Sequence, residues 1–164
     1  VRSVNAPLEP RGGAIWMATS GGLAKLNPKD LRSSPDNPLF SVYRPENPKS
    51  NSILNLFEDA DGQVFVGTSD GLYRLTETDG RYALEMVNLG DPLTEMLEIT
   101  AIIKDRSGVL WVGTWANGLL RLLPGGRVER YTNEQGLPGS NVDSLLEDKN
   151  GRIWVGSSTK PSRL

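Results

Sequence analysis

Histidine and cysteine are both missing from this chain. Without histidine, the chain lacks the commonest general base near neutral pH and the commonest metal ligand, which excludes Ser-His-Asp catalysis and His-ligated metals. Without cysteine, it can form no disulfide, no Cys-ligated zinc site and no thiol nucleophile, although reducing and oxidising compartments both accept such a protein. No glycine-rich nucleotide motif precedes a helix either, so we expect no catalytic residue, no metal and no cofactor.

An excess of charge and a long apolar run are also missing. The 18 Lys and Arg residues nearly balance 20 Asp and Glu residues, and a net charge of -2 offers no general attraction for phosphate backbones, so we expect no nucleic-acid partner. Apolar stretches are far shorter than the roughly 20 residues that cross a bilayer, and we expect no direct membrane contact in this segment. The 164 residues, 37% of them hydrophobic, suffice for one globular domain with a core.

What the chain does contain is a repeated pattern. Four segments align on one aromatic residue: AIWMATSGGLAKL from Ala14, QVFVGTSDGLYRL from Gln63, VLWVGTWANGLLRL from Val109 and RIWVGSS from Arg152. The aromatic residues are Trp16, Phe65, Trp111 and Trp154, and they are separated by 49, 46 and 43 residues. A regular period of this length indicates repeated supersecondary units.

Each repeat predicts four short antiparallel strands. A short apolar run, as at 53–57, gives strand A, and an Asp-rich turn with glycine, as at 59–62, leads to strand B, VFVGT or LWVGT. A second turn leads to strand C, LYRL or LLRL, and a more polar strand D follows at 39–44, 82–87 and 127–131. Four strands in about 45 residues, with one aromatic residue and fixed glycines, are typical of a β-propeller blade.

The repeats of this chain closely resemble the two-component regulator propeller repeats. The resemblance lies in the combined pattern N-x-V-x-x-L-x-E-D-x-x-G-x-I-W-V-G-T-x-x-G-L-x-R-L, which is spread over 141–156 and 111–122. These repeats are found in the extracytoplasmic sensor regions of bacterial hybrid and classical histidine kinases. The resemblance implies a periplasmic location, a small-molecule or oligosaccharide signal, and dimerisation that transmits the signal to a kinase outside these residues. Because no signal peptide opens the chain, we expect that any targeting segment was removed or lies outside it.

The predicted fold is therefore all-β, a partial β-propeller of four-stranded antiparallel blades that covers residues 1–164. About three and a half blades are present, at about 1–47, 48–95 and 96–138, with an incomplete fourth at 139–164. The family implies seven blades per ring, so the chain covers about half a ring. An open arc exposes strand edges and apolar faces. We expect either a fragment of a longer sensor or a homodimer, self-associated through the open blade edges, although two half blades do not make one ordinary blade.

Two patterns resemble functional sites, but a structural role within the repeat accounts for both of them better. Asp59 and Asp61 lie in a turn that resembles part of a calcium loop, but the equivalent turns KDRSG and EDKNG have fewer carboxylates, and the full EF-hand ligand set is missing. We interpret this turn as a hairpin capped by its own Asp. The repeated tryptophans resemble a sugar-stacking ladder, but their fixed place on strand B favours packing between blades.

Trp115 departs from the repeat, since Ser20 and Ser69 hold the equivalent positions. In a propeller the B-to-C and D-to-A loops emerge on the same face, where rigidly held loops commonly carry function. An aromatic residue flanked by amides and carboxylates suits carbohydrate, by stacking and by hydrogen bonds to hydroxyls, whereas simple packing of Trp115 is the alternative. The candidate ligand-binding residues are Ser69, Asp70, Trp115 and Asn117 on B-to-C loops, and Asn51, Ser52 and Asn141 on D-to-A loops.

The predicted function is a non-catalytic ligand-sensing module from the input region of a bacterial two-component sensor. A protein-binding or structural propeller is the alternative, and the sequence offers no evidence against it. A propeller enzyme, resembling the lyases that inactivate streptogramin antibiotics, is disfavoured because those lyases rely on histidine, which this chain lacks.

Overall fold

The computed structural model describes residues 3–26, 39–90 and 97–158. These residues form fourteen β-strands and two short 3-10 helices, Pro48–Asn51 and Asn133–Gln135. The strands are β1 (Val4–Leu8), β2 (Ile15–Thr19), β3 (Gly22–Leu26), β4 (Phe40–Tyr43), β5 (Ile53–Glu58), β6 (Val64–Thr68), β7 (Gly71–Thr78), β8 (Arg81–Met86), β9 (Ile99–Lys104), β10 (Leu110–Thr114), β11 (Leu119–Leu122), β12 (Val128–Tyr131), β13 (Asn141–Glu147) and β14 (Ile153–Ser158). No helix in these ranges is long and apolar enough to cross a membrane.

The strands pair in chain order into four antiparallel sheets. Sheets β1-β2-β3-β4, β5-β6-β7-β8 and β9-β10-β11-β12 each have four strands, whereas β13-β14 has two. We call them blades 1 to 4, and they confirm the predicted partial propeller of three and a half blades. The limits proposed for each blade stay a prediction. Residues 1 and 2 of the predicted first strand and 159–164 at the end of the fourth repeat lie outside the described residues.

The hydrophobic core lies between neighbouring blades. One cluster joins blades 1 and 2, where Trp16, only 3% exposed, packs with Ile53 and Val66 of the next blade. The Trp16 ring also meets the Tyr82 ring edge-on, with 5.1 Å between centroids. A second cluster joins blades 2 and 3 and includes Leu72, Ile99 and other apolar residues. Trp16 therefore fills the space between two sheets, as its place in the repeat predicts.

Strand-B glycines allow the blades to approach closely. A Cβ atom added to Gly67 would lie 2.9 Å from Cγ2 of Ile99, and one added to Gly113 would lie 2.6 Å from Cγ1 of Val142. In each case the first apolar residue of the next blade's strand A occupies the space that a side chain would need. The glycine of the VGT motif is therefore a packing requirement rather than a turn former.

The turns between strands A and B are capped by their own aspartates. Oδ1 of Asp59 accepts hydrogen bonds from the backbone amides of Asp61 and Gln63, both at 2.9 Å. Asp105 and Asp148 accept equivalent bonds. This confirms the capped hairpin. The second oxygen of Asp105 accepts a 2.7 Å bond from the Trp111 indole N–H, a contact that the repeat pattern did not predict.

Candidate ligand-binding face

The B-to-C and D-to-A loops of blades 2 to 4 meet at one end of the blades, which we call the loop face. The backbone amide of Ser69 donates to the carbonyl of Ser52 at 3.0 Å, and the amide of Gly118 donates to the carbonyl of Ser140 at 2.8 Å. Each bond joins a B-to-C loop to a D-to-A loop. The loops that the sequence analysis selected are therefore neighbours.

Asp70 anchors the blade-2 part of the loop face. It is 7% exposed, and its Oδ2 accepts a 2.9 Å hydrogen bond from the Asn47 side chain. Its backbone amide donates to Oγ1 of Thr68 at 3.0 Å, and its carbonyl accepts from the Ser50 hydroxyl at 3.0 Å. These bonds fix the loop. Asp70 therefore supports the site from below the surface and exposes little of its side chain to a ligand.

The other blade-2 candidates lie around this anchor. The Ser69 hydroxyl donates to the carbonyl of Lys49 at 3.1 Å, which ties the B-to-C loop to the short helix Pro48–Asn51. Ser52 contributes its carbonyl to the same contact between loops. Oδ1 of Asn51 is buried and has no hydrogen-bond partner among the described residues.

Trp115 projects from a tightly held loop of blade 3. Trp115 is 43% exposed, and its backbone amide donates to the carbonyl of Glu98 at 2.9 Å. Next to it, Ala116 has a φ of 73°, a left-handed conformation that residues other than glycine rarely adopt. The Ala116 amide donates to Oδ1 of Asn141 at 2.9 Å, and Asn141 is only 2% exposed. Asn141 therefore holds the backbone that presents Trp115.

Asn117 completes this loop with a partner that the sequence analysis missed. Arg130, on the outer strand β12, donates from Nε to the Asn117 carbonyl at 2.8 Å and from Nη2 to its Oδ1 at 3.1 Å. Arg44 of blade 1 makes a similar bond, from Nε to the carbonyl of Gly21 at 2.9 Å. Asn117 is thus held in place, and the Arg130 guanidinium lies exposed beside it.

The two halves of the loop face are joined by residues 97 and 98. The Gly71 amide donates to the carbonyl of Leu97 at 2.8 Å, and the Trp115 amide donates to the carbonyl of the adjacent Glu98. The structure therefore gathers the seven candidates into two linked clusters. Ser69, Trp115 and Asn117 are accessible, whereas Asp70 and Asn141 are buried supports.

A groove of about 450 Å³ opens at the opposite end of the blades, between blades 1 and 2. Its lining includes Arg11, Trp16, Glu58 and Tyr82. The Arg11 amide donates to Glu58 at 3.2 Å, and its guanidinium donates to the carbonyl of Ala60 at 2.8 Å. These hydrogen bonds join the two blades, so we interpret the groove as part of the contact between them. We therefore place the candidate site on the loop face.

The turn that resembled a calcium loop already contains a cation from the protein. Nζ of Lys104 lies 2.6 Å from Oδ2 of Asp59 and 3.2 Å from Oδ2 of Asp61. Burial raises the pKa of the Asp59 carboxyl, but the bonds from Lys104 and the backbone outweigh it and the net pKa lies below its usual value. Within the described ranges, no three His, Cys, Asp or Glu side chains meet as metal ligands.

Comparison with known structures identifies propellers of similar shape. The extracellular domain of a protein named as a hybrid two component system, BT4673 of B. thetaiotaomicron, aligns with a TM-score of 0.71 and 20% identity, over 94% of this chain and 20% of that one. The corresponding domain of BT3049 from B. thetaiotaomicron gives 0.69 and 18%, over 93% and 20%. PorZ, a surface component of the type-IX secretion system of Porphyromonas gingivalis, gives 0.73 and 18%, over 95% and 25%. The likeness shows the fold, and the chain spans a fifth to a quarter of these structures.

The sequence itself carries the family pattern. Residues 47–70, 93–116 and 136–159 match the two component regulator propeller, and each match runs from a D-to-A connection through strands A and B. Comparison with curated proteins gives no match. These three matches cover 72 of the 164 residues, and they show that the chain contains repeats that match the two component regulator propeller.

Proposed function

We propose that this chain is a non-catalytic ligand-sensing part of the extracytoplasmic region of a bacterial two-component sensor. Its matched repeats and the extracellular two component domains that share its fold support this location and role. The absence of histidine and cysteine from the whole sequence supports a binding role over catalysis. The ligand we propose is a small molecule or oligosaccharide that binds at the loop face.

The observation that carries this proposal is the way the protein presents Trp115. The indole is 43% exposed, yet its loop contains a left-handed alanine and is fixed by Glu98 and Asn141. A left-handed residue other than glycine costs about 1–3 kcal/mol and persists only where its surroundings determine it. The repeat does not require Trp115, since blades 1 and 2 have serine at this position.

The surroundings of Trp115 suit a sugar ring. Apolar faces of sugars stack on aromatic side chains, and hydroxyls bond to amides and to charged groups. Asn117 and Arg130 lie beside the tryptophan through their mutual hydrogen bonds. Because Arg130 holds Asn117 and the backbone holds Trp115, the site needs little ordering when a ligand binds.

A panel of plant and host oligosaccharides tests this proposal. We expect at least one glycan to raise the melting temperature, and Trp115→Ala to abolish that shift because the stacking surface is lost. The melting temperature of the free protein should change less than on loss of a core residue, since Trp115 belongs to neither hydrophobic cluster. Thermal shift and isothermal titration calorimetry measure both quantities.

Leu146→Ala is the matched control, because Leu146 is 62% exposed near the end of β13 that leads to the A-to-B turn, opposite the loop face. It should leave glycan binding intact. Binding that persists in Trp115→Ala would contradict the proposed site. A panel in which no glycan binds would contradict the ligand class and would favour the alternative of a protein-binding propeller.

A further inference from the structure

The B-to-C loop of blade 3 departs from the repeat in length as well as in composition. Gly118 follows Thr114 by four residues, whereas Gly71 follows Thr68 by three. The added residue accompanies the change from serine to Trp115. Both threonine hydroxyls donate to the carbonyl of their glycine, at 2.7 Å in blade 3 and 2.8 Å in blade 2. The two loops therefore close in the same way, and closure does not need the added residue.

Strand D of blade 3 departs from the repeat beside this loop. Arg130 pairs with Leu120 in the sheet, and the equivalent positions of blades 1 and 2 hold Val42 and Met86. Residues that pair across two strands share a face of the sheet, and Leu120 is 5% exposed in the core between blades 2 and 3. Arg130 therefore lies on the side of blade 3 that blade 2 covers, and its guanidinium reaches the loop face.

The hydrogen bonds of Arg130 use one edge of its guanidinium. Nε donates to the carbonyl of Asn117 at 2.8 Å, and Nη2 donates to its Oδ1 at 3.1 Å. A guanidinium has five N–H groups, so three remain, on Nη1 and Nη2. The edge between these two nitrogens presents two parallel N–H groups, the arrangement that binds both oxygens of a carboxylate. Asn117 therefore fixes a guanidinium whose other edge suits a carboxylate.

The carboxylates of the described residues do not occupy this edge. Glu129, the preceding residue in the chain, binds Arg121 at 3.2 Å and Arg127 at 2.9 Å. Glu98 and Glu134 lie in the adjoining connections, and neither of them forms an ion pair with the guanidinium at the loop face. Within the described ranges, the cation therefore has no counter-ion.

The residue that holds Arg130 is a neutral amide. Blade 2 has a carboxylate, Asp70, immediately before the corresponding glycine, whereas blade 3 has Asn117. Because Oδ1 of Asn117 lies 3.1 Å from Nη2 of Arg130, an aspartate here would form an ion pair. The amide instead fixes the guanidinium without neutralising its charge.

We propose that the ligand of the loop face is an acidic sugar, whose carboxylate binds the Nη1–Nη2 edge of Arg130 while its ring stacks on Trp115. This inference rests on the proposed function, since it names the class of glycan that the same site binds. Sugars with a carboxylate on the ring, the uronic acids, are the simplest members of this class. A guanidinium already held by Asn117 loses little freedom when the ligand binds.

Isothermal titration calorimetry with uronic acid oligosaccharides and their methyl esters tests the proposal. Oligogalacturonates and glucuronate-containing oligosaccharides are the probes, and each methyl ester removes the negative charge while it keeps the rest of the molecule. We expect the acid to bind about tenfold more tightly than its ester, because only the acid forms a hydrogen bond between two charged groups. Added salt should reduce this preference, since the site is exposed.

Two variants test the role of the guanidinium. Arg130→Gln should abolish the preference for the acid, and Asn117→Asp should do the same because the new carboxylate neutralises Arg130 and repels that of the ligand. A merely structural role of Arg130 would weaken acid and ester equally and leave the preference unchanged. Arg127→Gln is the matched control. It removes the same charge beside the other end of β12, where the Arg127 side chain is 75% exposed, and it should keep the preference.

The outcomes separate this inference from the proposed function. Equal binding of acid and ester, or tighter binding of neutral glycans that Trp115→Ala abolishes, would overturn the acidic ligand and leave the glycan site standing. A preference for sulfated oligosaccharides over uronic acids would overturn the assignment of a carboxylate. Binding of no glycan, acidic or neutral, would overturn both. Circular dichroism melting of each variant distinguishes lost binding from lost folding.

Discussion

At the scale of single residues, the capping aspartate and the strand-B aromatic residue act together. The Trp111 indole donates to Asp105 at 2.7 Å, and the Trp154 indole donates to Asp148 at 3.0 Å. In blade 2 the aromatic residue is Phe65, which has no N–H group to donate, and the second oxygen of Asp59 binds Lys104 instead. The capping aspartate thus bonds within its own blade where strand B has tryptophan, and to the next blade where strand B has phenylalanine and that blade has a lysine within reach.

These bonds make the stability of the fold depend on pH. Burial raises the pKa of Asp105, but bonds from Ser107 and Trp111 outweigh it, and the net pKa lies below its usual value. The bond from Trp154, followed by those from Arg152, lowers the pKa of Asp148 from 3.8 to about 2. A depressed native pKa stabilises the fold above the unfolded value and stops doing so as pH falls through the native value. We therefore expect the melting temperature to fall between about pH 4 and pH 2.

Asp105→Asn tests this dependence. At pH 6 the variant should melt at a lower temperature, because an uncharged amide accepts more weakly from Trp111 and the turn amides. From pH 4 to pH 2 its melting temperature should fall less than that of the unchanged protein, because the amide does not titrate. Asp79→Asn is the control at pH 6, since Asp79 has a φ of 52° in an exposed turn that asparagine also accepts. Parallel pH profiles for the two aspartate variants would contradict the assigned role.

At the scale of elements, neighbouring turns are joined by contacts of alternating polarity. The backbone amide of Arg11 in blade 1 and the guanidinium of Arg106 in blade 3 each donate to a glutamate of the following blade. Blade 2 has Ala60 at that position, and blade 3 supplies Lys104 in the reverse direction. The contact between blades 2 and 3 is the most buried, since the Asp59 side chain is 1% exposed.

Lys104→Met should therefore destabilise the fold more than the loss of a surface ion pair. Methionine keeps the length of the side chain but leaves the buried Asp59 carboxylate without its cation, a loss of about 1–3 kcal/mol. Urea denaturation measures this free energy of unfolding. Arg74→Met is the control, because Arg74 and Glu85 are 54% and 48% exposed, and its effect should stay within about 0.5 kcal/mol. Equal losses in both variants would show that Lys104 is not a buried contact.

The sequence was sufficient for the strands and turns but not for the contacts between them. Strand B and the capped turn recur with the same residue types, so a secondary structure assigned in one repeat can be assigned to the other repeats as well. The sequence shows Lys104 at the repeat position that holds Glu58 in blade 2 and Glu147 in blade 4. Its ion pair with Asp59 could not be predicted from this, because the sequence does not show that the neighbouring turns are in contact. Trp115 could be selected because it departs from the repeat. Asn47 and Arg130 were missed because their loop contacts depend on strand register.

At the scale of the whole molecule, each blade packs mainly on its immediate neighbours. Stability in such arrays is approximately the sum of each unit and of the contacts with its neighbours. Blades 2 and 3 are covered on both faces, and four of the five residues of β10 are buried. In β14, no residue is buried, and exposed and intermediate residues alternate. Among the described residues, blades 1 and 4 therefore have fewer contacts with neighbouring blades than blades 2 and 3.

This difference predicts a gradient of hydrogen exchange along the chain. Amides of β6 and β10 should exchange slowly, because opening them disrupts two contacts between blades, whereas amides of β14 should exchange fastest among the strands. Hydrogen exchange with mass spectrometry at low protein concentration measures this order. Uniform protection in all four sheets at low concentration would contradict the additive view of the blades.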